Sequence, residues 1–500
     1  MTSLEPWLTA LPDAEAMRAT DRWAIEERGV PSLDLMERAG AGLAALVTEV
    51  APDGPVAIVC GKGNNGGDGL VAARLLREQW REVRCLLLGA REELGGDAAA
   101  NVERVETEPL HPAALEGAAV VVDAILGTGF EGAVRGAAAG AIAAMEGHVV
   151  VAADVPSGVN ASTGEVEGPA VRARATATFA AAKPGLYVNP GKEHAGDVRV
   201  IEIGIPDGAP GDPRTALIGD DVLREVPRRR GNTTKFSSGH VLVAGGSRGL
   251  TGAPVLAANA AMRAGAGYVT CCAPASQQPI LATHLLEVMT RALPEDDGAH
   301  VVAGAQEVLE ASGRGGALIV GPGLGRSDGA QEFARTIVRA STVPVLLDAD
   351  GLNAHAERLE VLRESGAPLV LTPHDGELGR LLGCPSDEVK AHRLACVRRA
   401  ASDSGAIVVL KGDDSIVARP DGFAAVSPGG TPALATAGTG DVLSGVIGAL
   451  LAKEMDPFTA ACAGVRMHAL AGRIAAERRR GADGVVASDV IDALSAVLAG

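Results

Sequence analysis

The sequence predicts an α/β protein of two domains, each a parallel sheet covered by helices on both faces. Short β-branched runs alternate with longer alanine- and leucine-rich stretches, the rhythm of βαβ units. Each run ends in a polar or glycine-containing turn. The rhythm breaks once, at IPDGAPGDPRTALIGDDVLREVPRRRGNTTKF, where proline, glycine and charge cluster near residues 206–232. The domains are therefore expected at 1–215 and 225–500, and 500 residues hold two such units as readily as three.

In chain order, a strand is expected at 56–59, a helix at 70–80 and a second strand at 84–88, followed by strands in AAVVVDAIL and GHVVVAADV. Beyond the break, strands are expected in HVLVAGG, GALIVGPG, VPVLLDAD, APLVLTP and AIVVLKG. Open α/β sheets bind ligands outside the carboxyl ends of their strands, so the turns after these runs are where chemistry is sought.

Composition narrows the possible functions. Apolar residues at 47% and charged residues at 21% describe an ordinary globular chain rather than a disordered one. Glycine is abundant, 65 residues without a collagen period, while Phe, Trp and Tyr number six, three and two. The net charge of −17 argues against nucleic acid as a partner, because backbone binding needs clustered Lys and Arg. No apolar run approaches the roughly 18 residues of a membrane helix, and the opening MTSLEPWLTALPDAEAMRATD is acidic rather than basic then apolar. A soluble, cytoplasmic protein is expected. Seven cysteines, without a CxxC pair and odd in number, suit buried thiols in a reducing compartment.

In the first half, PVAIVCG runs into GKGNNGGDG and a helical pattern. Gly61, Gly63 and Gly66 satisfy GxGxxG, which lets backbone N–H groups approach a phosphate at a helix N-terminus. No Lys-Ser or Lys-Thr follows, so this is not a P-loop. Asn64, Asn65, Gly66, Gly67 and Asp68 put two amides and a carboxylate where a plain dinucleotide loop presents bare backbone. Such oxygens suit a hard cation or a ribose hydroxyl, and equally a helix cap. Asp123 and Asp154 with Ser157 follow two further strands. Converging on one pocket, Asn65, Asp123 and Ser157 could hold a monovalent cation and leave Asp154 as acid or base; as separate residues they would cap helices.

Together MRATDRWAIEERGVPSLDLMERAG, CGKGNNGGDG, DAILGTGFEG and DVPSGVN resemble the N-terminal domain of the bifunctional NAD(P)H-hydrate repair enzymes, the YjeF family. The resemblance covers about residues 12–215 and implies a Rossmann-like three-layer α/β/α domain. It implies epimerisation of the R and S forms of hydrated NADH and NADPH, NADHX and NADPHX. It also implies that Asn64 to Asp68 bind the hydrated nucleotide together with Gly127, Thr128, Gly129, Phe130, Glu131, Gly132 and Ala133. Asp154 would lie near the reacting ring, and Asn65, Asp123 and Ser157 would bind K+. Epimerisation at a hemiaminal carbon can proceed by loss and return of the hydroxyl, which a carboxylic acid assists. Related domains in eukaryotic RNA-processing scaffolds use this fold for binding and dimerisation, so a noncatalytic first domain is the alternative.

In the second half five turns matter: residues 245–254, 321–325, 372–377, 411–417 and 429–445. Gly438, Thr439 and Gly440 open an apolar helix whose N-terminus favours anions. Asp441 stands at that start, placed to take a proton from a hydroxyl attacking a phosphoryl group. Lys411 could reach a phosphate and Ser415 could hydrogen-bond it. His374, three residues before Glu377, offers a donor or acceptor to a ligand.

GGSRGLTGAP, GPGLG, TPHDGE, KGDDS and AGTGD resemble the C-terminal dehydratase domain of the same repair enzymes, over about residues 232–498. This implies a ribokinase-like α/β domain that dehydrates the S epimer at the expense of a nucleotide. Ala253, Gly323, His374 and Asp441 would contact the substrate; Lys411, Gly412, Asp413, Asp414, Ser415 and Gly440 would bind the donor. Two positions depart from the family pattern, Ser238 where Lys is common and Leu250 where Tyr is common. Mg2+ is expected with the nucleotide, ADP is favoured as donor, and a homo-oligomer is expected. The competing enzyme is a ribokinase-like vitamin-precursor kinase with a noncatalytic first domain. It leaves both the Asn-Asn-Gly-Gly-Asp run and TPHDGE unexplained.

Overall fold

A computed structural model describes residues 4–313 and 315–499. The chain divides into two compact units, one formed by Ala10–Ala216 and the other by the chain from Leu217 onward with Leu4–Thr9. Those six residues join the second unit rather than the first because the Trp7 ring packs against Phe458, centroids 6.2 Å apart, and the Trp7 carbonyl accepts from Gly219 N–H at 2.9 Å.

The first unit is built on a seven-stranded, wholly parallel sheet. From the central Val56–Cys60 strand the sheet steps out through Val83–Leu87 to Glu108–Pro109. On the other side it runs through Val120–Ala124, Val150–Ala153, Ala175–Phe179 and Asp197–Ile201. The order reverses between Val56–Cys60 and Val120–Ala124, so the turns after those two strands open onto the crevice where such sheets bind ligands. Alternate side chains explain the buried runs: Val56, Ile58 and Cys60 enter one core, Ala57 and Val59 the other.

The helix expected at 70–80 begins earlier, at Asn64, and runs to Glu78. Its glycines allow this. A Cβ on Gly66 would stand 2.0 Å from the Gly61 carbonyl oxygen, and one on Gly69 2.7 Å from Ala124 Cβ. The Asn-Asn-Gly-Gly-Asp run is thus the first turn of a helix pressed against the sheet, not a loop before it.

In the second unit His240–Ala244 starts the sheet, flanked by Tyr268–Pro274 and then Met289–Leu293 on one side and Ala317–Val320 on the other. Val345–Leu347, Leu369–Leu371 and Ile407–Leu410 continue it in parallel. Ile416–Ala418 and Ala424–Val426 then add antiparallel. Only five residues separate Leu410 from Ile416, too few for the crossover that a parallel strand requires. Thr215–Ile218, inside the stretch expected to be linker, and Leu8–Ala10 extend this edge. The Thr439–Ala452 helix lies close on Gly252–Arg263, because a Cβ on Gly445 would meet the Ala257 carbonyl oxygen at 2.2 Å. All seven cysteines are free, and six are buried. Among the described residues no helix is long and apolar enough to cross a membrane.

Candidate active sites

At the switch point of the first sheet a cavity of about 860 Å³ opens. Asn64, Asn65, Asp68, Gly127, Thr128, Gly129, Phe130, Glu131 and Asp154 all line it. Gly66 and Gly67 do not; they are buried in the helix turn, where Gly67 faces Met36. Gly132 and Ala133 stand outside the lining as well.

Asp154 follows the Val150–Ala153 strand in a left-handed conformation, φ +63°, which turns its side chain into the cavity. Its Oδ1 accepts from Lys183 Nζ at 2.6 Å; its Oδ2 accepts from the Thr128 N–H at 2.9 Å and from the Thr128 hydroxyl. Burial alone would raise the pKa, but the Lys183 ammonium and the Thr128 donors outweigh it and hold the carboxyl below the ordinary range. Asp154 is therefore a carboxylate at neutral pH, suited to accept a proton or stabilise a cation rather than to act as the acid that the sequence left open.

Beside it, Asp123 is fully buried, with Oδ2 accepting from Ser157 N–H at 2.7 Å and Oδ1 from the Ser157 hydroxyl at 2.6 Å. Burial pushes its carboxyl up to about 6, against the Ser157 hydrogen bonds. Asn65 joins this pair through Leu126: Asn65 Nδ2 donates to the Leu126 carbonyl at 3.0 Å, and Leu126 N–H donates to Ser157 Oγ at 2.9 Å. Among the described residues the buried Asn65 Oδ1 has no hydrogen-bond partner. An orphaned amide oxygen, linked through Leu126 to a carboxylate and hydroxyl pair, supplies the oxygen donors that a hard monovalent cation takes.

The second unit has a cavity of about 550 Å³ lined by Lys411, Gly412, Asp413, Ser415 and Gly440, among others. Asp414 is not part of that lining. It is wholly buried, with Oδ2 accepting from Arg393 Nε at 2.9 Å, and Arg393 also pairs with Asp375 and donates to the Lys411 carbonyl at 3.2 Å. The expected donor contact is thus a clamp that ties two turns together. Ser415 closes its own turn by donating to the Gly412 carbonyl at 2.7 Å, and Asp413 Oδ1 accepts from Gly430 N–H at 3.1 Å.

Lys411, expected to reach a phosphate, is held by carboxylates. Nζ is 2.8 Å from Asp348 Oδ1 and 3.5 Å from Glu377 Oε2. Asp348 Oδ2 accepts from the Ser444 hydroxyl at 2.7 Å, and Glu377 Oε2 accepts from His374 N–H at 2.9 Å in a capping box. The TPHDGE, KGDDS and AGTGD segments therefore meet at one lysine, where Gly440 is also close, its Cβ position 3.5 Å from Nζ. Burial, with Asp348 and Glu377 adding to it and Lys411 opposing, raises the Asp441 carboxyl to about 7. A base poised near neutral pH at a helix N-terminus is what proton removal from an attacking hydroxyl requires. Gly323 meets the 245–254 turn, its carbonyl accepting from the Ser247 hydroxyl at 3.0 Å, and Ala253 lies in the first turn of the Gly252–Arg263 helix. Ala253, Gly323, His374 and Asp441 are not among the residues lining the 550 Å³ cavity.

Two family models match the chain, one for the YjeF-related N-terminus over residues 32–185 and one for NAD(P)H-hydrate dehydratase over residues 241–495. The chain is 40% identical to the bifunctional NAD(P)H-hydrate repair enzyme of Moorella thermoacetica, covering 98% of this chain and 96% of that one. It belongs to the NAD(P)H-hydrate repair family. The corresponding enzymes of Salinibacter ruber and Escherichia coli are 40% and 32% identical, each over 97% of this chain and over 95% and 93% of their own length. Among solved structures, the ADP/ATP-dependent NAD(P)H-hydrate dehydratase of Bacillus subtilis, crystallised with ATP and Mg2+, matches 56% of this chain and 96% of its own at 29% identity, TM-score 0.50. The first unit is Rossmann-like and the second ribokinase-like, as the family resemblance implies.

Within this repair-family frame, sequence reasoning missed Lys183, Asp348, Glu377 as an ion-pair partner, Ser444 and Arg393. Asp348 and Lys183 had a usable signal. VLLDAD ends its strand as VVVDA and VVAAD end theirs, and Lys183 is a lone cation in the apolar stretch after ATATF.

Proposed function

We infer that this chain repairs hydrated nicotinamide nucleotides at two sites. The first domain interconverts the R and S epimers of NADHX and NADPHX, and the second dehydrates the S epimer with ADP as phosphate donor. The observation that carries the reading is Asp441: a base with a pKa near 7, beside a glycine turn at a helix N-terminus and a lysine held by two carboxylates. Hydroxide is a poor leaving group. Asp441 takes the proton from the ring hydroxyl as its oxygen attacks the donor's terminal phosphoryl group, and the Gly438 to Gly440 amides receive the transferring charge. Departure of phosphate with the C–O electron pair, and loss of a proton from the adjacent ring carbon to water, then restore the reduced ring. Mg2+, carried on the nucleotide's phosphates, would neutralise their charge.

In the first domain Asn64, Asn65, Asp68, Asp154 and the 127–133 loop would hold the nucleotide, with Asp154 stabilising the cationic ring left when the hydroxyl departs. K+ would sit at the unpaired Asn65 Oδ1 with Asp123 and Ser157. Asn65→Ala is expected to abolish the K+ stimulation of epimerisation, read by titrating KCl against NaCl, with dehydration unchanged. The protein is expected to work in a reducing cytoplasm, where its free cysteines stay reduced, and as a homo-oligomer.

The deciding experiment is recovery of reduced-nicotinamide absorbance from mixed-epimer NADPHX with Mg2+, K+ and either ADP or ATP. Complete recovery with ADP is expected. Recovery that stalls once the S epimer is consumed would make the first domain a binding module. No recovery with either nucleotide would favour a vitamin-precursor kinase.

A further inference from the structure

Lys183 is the buried cation of the first cavity, and its capacity is limited. An ammonium has three N–H donors, and those of Lys183 go to Asp154 Oδ1 at 2.6 Å, Thr178 Oγ1 at 3.0 Å and the Phe179 carbonyl at 2.8 Å. Asp68, in the second turn of the Asn64–Glu78 helix, lines the same cavity and is only 7% exposed. Among the described residues its carboxyl receives no hydrogen bond and no ion pair. Around it stand Asp154, Asp21 from the Ala14–Arg22 helix and Asp97 from the Gly96–Val102 helix. Arg18, Lys62 and Glu131 also line the cavity; Lys62 is paired with Glu93. A buried carboxyl among three others, with the nearby lysine fully engaged and no cation paired to it among the described residues, is favoured in its protonated form.

We propose that Asp68 is the general acid of the first site, delivering its proton to the hydroxyl that leaves the hemiaminal carbon. This rests on the epimerase reading above and assigns the two halves of its proton transfer. The C–O bond breaks with its electron pair going to oxygen, which takes the Asp68 proton and departs as water. The adjacent ring nitrogen's lone pair completes a C=N iminium, stabilised by the Asp154 carboxylate. Water adds to the opposite face, forming the new C–O bond and giving its proton to Asp154, and exchange through cavity water carries that proton from Asp154 back to Asp68. Burial raises the Asp68 carboxyl well above its ordinary value, reinforced by Asp154, Asp21 and Asp97 and opposed by Lys183, while Asp154 is held low. Two carboxyls driven apart in this way can serve as acid and base at one pH.

The test follows R-to-S conversion chromatographically in the full chain, without ADP or ATP so that dehydration cannot consume the product, and subtracts the uncatalysed rate. The wild-type kcat is expected to fall on the alkaline side of its profile as Asp68, held protonated by burial, loses its proton. Asp68→Asn is expected to lower kcat by about 10²–10³-fold, far more than it raises KM, with the alkaline limb gone. Asp68→Glu, which keeps a proton donor should the amide variant misfold, restores part of the rate and the limb. A substrate contact alone would instead raise KM and keep the limb. Full kcat in Asp68→Asn, or an alkaline limb that survives it, overturns the proposal; absence of epimerisation in the wild type overturns the epimerase reading itself.

Discussion

Asp441→Asn is expected to reduce dehydration of the S epimer by about 10²–10⁴-fold, the contribution of a positioned general base, while R-to-S epimerisation continues at the wild-type rate. The amide preserves the shape of the helix start, so nucleotide binding should persist and the loss should appear in kcat. The same carboxyl sets the pH profile. With a pKa near 7, imposed by burial and by Asp348 and Glu377 against Lys411, the wild-type rate should climb through pH 6 to 7 and level off above pH 8. The sign for stability runs the other way. A carboxyl whose folded pKa exceeds its unfolded value favours the folded state fully only below the unfolded value, and that favour is lost as pH rises toward 7. Above pH 7 the wild-type domain carries a buried charge that the Asn variant lacks, so the variant should melt higher at pH 8 and differ less at pH 6. Absorbance recovery with ADP and thermal melts at the two pH values check this. Loss of both activities would contradict two separate sites.

Lys183→Met is expected to silence the first site and to weaken its domain. Lys183 is 1% exposed and supplies the charge that keeps Asp154 ionised. Without it Asp154 is a buried carboxylate left with the Thr128 donors and a long Phe179 N–H contact of 3.5 Å, and removing one partner of a buried pair costs about 3–5 kcal/mol. Asp154 then takes up a proton, and epimerisation should fall by about 10²–10⁴-fold. Asp154→Asn, which strands the ammonium instead, should lower stability by a similar mechanism. The double variant should be more stable than additivity of the two singles predicts, because neither charge is then buried alone. Urea unfolding of the four proteins measures this coupling; strict additivity would deny the ion pair its role.

Much of the first site is legible in the sequence because strand ends and glycine turns advertise themselves locally. VVVDA and VVAAD announce Asp123 and Asp154, and GKGNNGGDG announces Asn64, Asn65 and Asp68. Glycines in this run look locally like turn residues, whereas Gly66 and Gly69 serve to bring a helix onto the sheet. Local pattern also misjudged Asp414, since a turn carboxylate reads the same whether it faces a ligand or, as here, an arginine of a neighbouring helix.

By itself the sequence determined the α/β class, the strand-end turns where the sites were sought and, through ordered motifs, the family. Those features depend on neighbours a few residues apart, where spacing dictates geometry. Only the tertiary structure decided that Lys411 meets Asp348, 63 residues away, that Ser444 meets the same carboxylate across 96, and that Lys183 engages Asp154 rather than Asp68. These pairings follow from strand order and from how deeply each group is buried. Protonation states depend on them, because a carboxyl's charge is set by what solvates it in the folded chain.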